Sequence, residues 1–177
     1  MKPTFKNRPN IVHKVGDREV WESRSTAVVA VILAYANNKI YVLGEKRSNI
    51  MPDAPNLWVV PCGYIDWDEN GWNALRREVY EETSFFIDTY KDYIVYDNNK
   101  EPFFVNTEVT ENRQNIALTY CVLFDFEKRS LPKDVELHTD KEIAAIKWIP
   151  IEEISKYKWA FDHEKRIQQA LNKIEVL

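Results

Sequence analysis

The chain has 177 residues, 45% of them apolar and 29% charged, with a formal net charge of −4. That length and mix suit one globular domain, and the acidic balance argues against a non-specific nucleic-acid binder, which carries a basic face. The longest apolar run, Ala27 to Ala36, is about half of what a membrane-spanning helix of roughly 20 residues needs.

The opening segment, MKPTFKNRPNIV, lacks the apolar core of a secretion signal. Cys62 and Cys121 form no C-x-x-C pattern and read as two reduced thiols of a cytoplasmic protein. The chain is read as a single domain over 1–177, with residues 1–22 as an N-terminal extension, and Arg18 to Ser23 reads as a short edge strand. Thr26 to Tyr35 is a continuous β-branched run, which predicts a strand buried on both faces. Asn37 and Asn38 predict a tight turn into a second strand, Lys39 to Arg47. SNIMPDAPN reads as loop, and Leu57 to Gly63 as a short strand ending at Pro61.

From Glu69 to Ser84 the apolar residues Trp72, Leu75 and Val79 recur at helical spacing. FFIDTYKDYIVYD alternates loosely and reads as strand. Asn115 to Phe126 and EIAAIKWIPI, stopping at Pro150, read as two more strands. IEEISKY reads as a short helix, and FDHEKRIQQALNKIEVL as an amphipathic C-terminal helix with Asp162 at its N-cap. The order predicts an α+β or mixed α/β sandwich: a central mixed sheet flanked by helices.

The chemistry concentrates in the first helix. Glu78, Glu81 and Glu82 stand at i, i+3 and i+4 and share a face. Such a cluster is destabilising by a few tenths of a kcal/mol per exposed pair unless a positive charge sits among the acids. Arg77 supplies one candidate; a hard divalent cation, which prefers carboxylate oxygen, is the other. Without such a cation the segment is a solvated charged face with an Arg–Glu pair.

Written out, the segment is Gly63-x5-Glu69-x7-Arg77-Glu78-Val79-x-Glu81-Glu82-x-Ser84-Phe85. It resembles the Nudix box, G-x5-E-x7-R-E-U-x-E-E-x-G-U with U a bulky apolar residue, and departs from it only where Ser84 replaces glycine. The resemblance runs more loosely from about Ser23 to the C-terminal helix. It implies the Nudix fold and metal-dependent hydrolysis, with Mg²⁺ or Mn²⁺, of a nucleoside diphosphate linked to another group. In that family's terms Glu81 and Glu82 are metal ligands, and Glu78 is a ligand or the base. Glu69 supports the metal, Arg77 holds the carboxylates in place, and the Gly63 carbonyl completes the coordination. The bound cation withdraws charge from the phosphate oxygens and acidifies a water, whose proton a carboxylate accepts.

Two departures are noted. Ser84 stands at the helix end, where φ > 0 costs a non-glycine residue on the order of 1 kcal/mol. Cys62 replaces the glycine usual before Gly63 and reads as a small buried side chain. Outside the box, Glu142 stands where family members often place a further carboxylate, as base or ligand. Arg47 is a candidate phosphate contact. The FDH of Phe161 to His163 resembles the opening of the last helix in ADP-ribose pyrophosphatase-like members, where His163 would face the substrate; the alternative is a stapled, capped helix start with His163 exposed. Of Trp58, Tyr64 and Trp67, one is placed to stack on a base, although Trp58 in its strand reads as core. ADP-ribose or a nucleotide sugar leads as substrate. The alternatives are a house-cleaning (deoxy)nucleoside triphosphate pyrophosphohydrolase and a non-catalytic nucleotide sensor. The complete acid set and the lack of an appended DNA-binding segment put the enzyme first. A nucleotide-type small molecule is the expected partner, not a nucleic-acid polymer or a membrane, and a homodimer stays open.

Overall fold

Strand Thr26–Ala36 (β3) is the axis of the molecule, and its sequence dictates why. Val28 through Ala34 are all buried, so alternate side chains enter two separate cores. Val28, Ala30, Ile32, Ala34 and Ala36 join one core with Ala74, Leu75 and Val79; Val29, Val31 and Leu33 join the other with Ile167, Ala170 and Leu171. Each core is capped by one helix, Gly71–Thr83 (α1) on the first face and His163–Ile174 (α2) on the second. A strand sandwiched in this way needs the unbroken apolar run that the sequence shows.

The computed structural model describes residues 10–109, 114–132 and 141–174. Among these, a mixed sheet has the order β10-β4-β3-β9-β7, where β4 is Lys39–Arg47, β7 Ile94–Tyr96, β9 Ile116–Asp125 and β10 Ile143–Pro150. The β3–β9 pairing is parallel and the others are antiparallel. Three short strands join the sides: Trp58–Val59 (β5) on β4, Cys62–Tyr64 (β6) on β3 and Phe104–Asn106 (β8) on β9. Ile11–Val15 (β1) and Arg18–Glu22 (β2) pair in a separate hairpin. The architecture is the expected α+β sandwich.

Asn37 and Asn38 are both left-handed (φ 51° and 57°), as a two-residue hairpin between right-twisted strands requires. Three local readings change. The segment from Leu57 to Gly63 is two strands, because Pro61 has no N–H to give a ladder; its carbonyl instead accepts from the Ala30 N–H at 2.9 Å. The segment after α1 is a 3₁₀ turn over Ile87–Tyr93 before β7. It buries Phe85, Ile87 and Tyr90 at spacings of two and three, so its loose alternation was not a strand period. Asp162 lies just before α2 but is left-handed (φ 59°), not in the extended conformation of an ordinary N-cap. The reading of residues 175–177 as helix lies outside the described residues. No helix among the described residues is long and apolar enough to cross a membrane.

Candidate metal and phosphate site

The site is built where β6 hands the chain to α1. Asn70 starts the helix: its side chain accepts from the Asn73 N–H at 2.9 Å. Ser84 ends it at φ 58°, with its N–H on the Tyr80 carbonyl at 2.8 Å. The family's glycine position is therefore a left-handed cap here too, occupied by serine. Between these caps Ala74, Leu75 and Val79 face the core, which turns Arg77, Glu78, Glu81 and Glu82 toward the β6 edge.

Arg77 is the hub of the acids. Its Nε and Nη2 donate to the two oxygens of Glu69 at 3.2 and 2.7 Å. Its Nη1 donates to Glu78 at 2.8 Å and to Glu81 at 3.1 Å, and its Nη2 also donates to the Tyr64 carbonyl at 2.9 Å. Glu69 in turn accepts from the Asp66 N–H at 2.8 Å, which closes the loop before the helix. The Arg77 side-chain contact holds the Glu69 carboxyl below its ordinary value. Burial pushes Glu78 the other way, above that value, against the pull of Arg77. Gly63 lies directly on Glu78: a Cβ there would overlap the Glu78 carboxylate. Only a glycine lets the backbone and the acid share that space.

Glu82 points inward. It accepts from the Cys62 N–H at 2.9 Å and faces Glu45, a fully buried acid on β4. Burial first, and the Glu45 charge second, raise the Glu82 carboxyl well above the ordinary range. Two carboxylates facing each other away from water need a proton or a cation between them. The sequence reading passed over Glu45. The available signal was an acid in phase with Tyr41 and Leu43, on the face of an apolar strand that α1 covers. Burial and the same acids raise the Cys62 thiol well above its ordinary value, so the residue is a protonated small side chain and not a reactive thiolate.

Beside this loop lies a cavity of about 300 Å³, whose wall includes Cys62, Gly63, Arg47, Phe161, His163 and Arg166. Arg47 stacks on Phe161 (5.4 Å to the ring centroid) and donates to the Asp53 carbonyl at 3.0 Å. His163 is buried, which corrects the alternative that left it exposed. Its Nδ1 accepts from the Val60 N–H at 3.1 Å, which puts the neutral ring's proton on Nε2 and fastens the strand before Pro61 to α2. Glu142 is exposed and is not on the cavity wall; its carbonyl accepts from the Ser48 N–H at 2.7 Å. Trp58 is core, whereas Tyr64 and Trp67 are exposed. The structure thus gathers Gly63, Glu69, Arg77, Glu78, Glu81 and Glu82 in one cluster, with Arg47 and His163 on the cavity wall that also includes Gly63, and leaves Glu142 outside both.

The donors suit a hard cation: carboxylate oxygens and a backbone carbonyl, with the one nearby sulfur protonated. Among the described residues no group of three His, Cys, Asp or Glu side chains is placed to hold a metal ion, and Arg77 pairs with Glu69, Glu78 and Glu81. Glu81, 55% exposed, is the acid with most room to exchange Arg77 for a cation.

This architecture recurs in solved structures. The NUDIX domain of Shewanella oneidensis NrtR complexed with ADP ribose matches with a TM-score of 0.62 and 22% identity, over 86% of this chain and 90% of that one. A C. elegans Ap4A hydrolase binary complex matches with a TM-score of 0.65 and 20% identity, over 86% and 99%. At these identities the likeness establishes the Nudix fold. The family model for the NUDIX domain matches residues 24–170, and the chain belongs to that family. Nudix hydrolase 7 of Arabidopsis thaliana is 27% identical over 124 residues, covering 70% of this chain and 38% of that protein. The chain spans less than half the length of the curated relatives it matches.

Proposed function

We propose that the chain is a divalent-metal-dependent pyrophosphohydrolase acting on a nucleoside diphosphate linked to another group, with ADP-ribose or a nucleotide sugar as lead substrate. One observation carries this reading. The complete box acid set is gathered at the end of β6, with Arg77 on Glu69, Glu78 and Glu81, Gly63 against Glu78 and the Cys62 N–H on Glu82, beside a cavity walled in part by arginine and aromatic side chains. Glu81 and Glu82, with the Gly63 carbonyl and with Glu78 as a further ligand or the base, would hold the cation, Mg²⁺ or Mn²⁺, and Glu45 would add a buried carboxylate beside Glu82. Such a cation would draw charge off the phosphate oxygens and lower the pKa of a bound water.

The side chains do the rest. Glu69 and Arg77 fix the carboxylates, so little reorganisation remains at the moment of reaction. Glu78, its carboxyl raised by burial and held by Arg77 against Gly63, is assigned as the group that accepts a proton from the attacking water. Glu142, outside the cluster, is assigned a lesser role. Arg47 meets the substrate's phosphates as a planar, always-charged fork. His163 keeps the Val60 backbone, and through it the box loop, in place. The lead substrate agrees with the ADP ribose bound by the NrtR NUDIX domain and with the FDH motif. Glu81→Gln and Glu82→Gln test the assignment: each lowers Mg²⁺-dependent turnover by about 10² or more while the fold persists. Turnover close to wild type in both variants would remove the metal site from the box.

A further inference from the structure

We propose that Arg166 reads a phosphate of the substrate beyond the two that flank the scissile bond. The inference rests on the pyrophosphohydrolase reading above and names the class of substrate. Arg166 lies on α2 three residues after His163, is 7% exposed, and forms part of the cavity wall that also includes Gly63. Its guanidinium sits 4.0 Å from the Phe104 ring centroid, and its Nη1 donates to Gln169 Oε1 at 2.8 Å. Among the described residues it makes no ion pair with a carboxylate; Asp162 acts on it only at longer range.

A buried guanidinium is costly unless a counter-charge meets it. Gln169 is neutral and occupies one of the five N–H donors. The Phe104 ring fixes the orientation of the planar fork, the shape that grips a phosphate through two parallel hydrogen bonds. Arg47, stacked on Phe161, is a second cation on the same cavity. The acids on the wall, Glu108 and Asp162, are exposed. The cavity therefore offers one partly exposed cation, Arg47, and one almost buried in its wall, Arg166. With two phosphates assigned to the box and to Arg47, Arg166 is left for a further one. The substrate that answers it carries another phosphate, either in a longer polyphosphate chain or on the sugar of the linked group.

The test compares wild type, Arg166→Gln and the charge-retaining Arg166→Lys. In metal-free protein at fixed ionic strength, calorimetry measures the binding of inorganic phosphate. Arg166→Gln weakens it by about tenfold or more, with Arg166→Lys in between. With Mg²⁺, kcat/KM is measured for two pairs: ADP-ribose against ADP-ribose bearing a ribose phosphate, and diadenosine diphosphate against diadenosine tetraphosphate. Wild type favours the more phosphorylated member of one pair, which identifies the source of the phosphate, and Arg166→Gln removes that preference through KM. Equal kcat/KM within both pairs in wild type, or unchanged phosphate binding in Arg166→Gln, overturns the proposal while leaving the hydrolase reading intact. Phosphate binding lost in Arg166→Gln with no turnover of any substrate supports the phosphate site and sinks the hydrolase reading. Should Arg166→Gln not fold, the Arg166 Nε–H resonance of wild type, assigned through Arg166→Lys, decides under phosphate titration: a shift supports the proposal and none overturns it.

Discussion

Gly63→Ala tests the link between backbone and catalysis most sharply. The added methyl falls inside the Glu78 carboxylate, and ordinary van der Waals separation requires that carboxylate to withdraw by on the order of 1 Å. The obstacle is the far end of a side chain, not backbone, so the fold accommodates it. What is lost is the 2.8 Å contact from Arg77 and the placement of Glu78. A charged hydrogen bond at a partly exposed arginine is worth about 1 kcal/mol, which lowers Tm by about 2–4 °C in a chain of this size. A 1 Å misplacement of a reacting group costs about 10² in rate. Thermal melts and Mg²⁺-dependent kcat on the same preparations separate the two effects. A kcat within twofold of wild type would show that Glu78 need not sit against Gly63, and a Tm loss beyond about 10 °C would show that the backbone itself was displaced.

Ser84→Gly relieves a left-handed serine at the end of α1 and raises stability by about 0.5–1 kcal/mol in urea melts; a loss would mean that the serine hydroxyl contributes more than the strain costs. Metal-free protein gains stability as pH falls through the folded-state value of Glu82, which lies above 4.5. The Glu82 carboxyl is raised well above 4.5 by burial and Glu45, so the folded state binds that proton more tightly than the unfolded one, and stability declines as pH rises through the folded value. Glu69 has the opposite sign: lowered by Arg77, its contribution is present above 4.5 and fades as pH drops below. Melts in EDTA between about pH 5 and pH 8 read the balance. Glu82→Gln flattens the slope, and added Mg²⁺ raises Tm most at the alkaline end; a Tm that climbs with pH and ignores Glu82→Gln contradicts the pairing with Glu45.

The box was legible because its chemistry depends on helical spacing, and spacing survives in a linear string. Glu78, Glu81 and Glu82 share a face whatever the tertiary fold. The Asn37–Asn38 turn and the two-sided burial of β3 were legible for the same local reason. Contacts between distant segments were not. Glu45 reaches Glu82 only because β4 and α1 pack on one face of the sheet, and nothing near Glu45 in sequence announces that partner. Arg166 looked like one of several charges on an amphipathic helix; its burial against Phe104 depends on a strand some sixty residues earlier. His163 was found for its motif, but the Val60 N–H that it holds follows from the β5–Pro61 break, which the sequence reading had merged into one strand.

The central claim is tested most directly by the products. Purified protein is incubated with ADP-ribose and Mg²⁺, then with Mn²⁺, and each in parallel with excess EDTA, and the products are resolved by chromatography. The account predicts AMP and ribose 5-phosphate in equal amounts, formed with metal and absent with EDTA. A monophosphate and pyrophosphate from a nucleoside triphosphate, with ADP-ribose untouched, would keep the chemistry and replace the lead substrate. Bound ADP-ribose that stays whole in the presence of either metal, alongside untouched nucleotide sugars and triphosphates, would contradict the account and make the protein a nucleotide sensor.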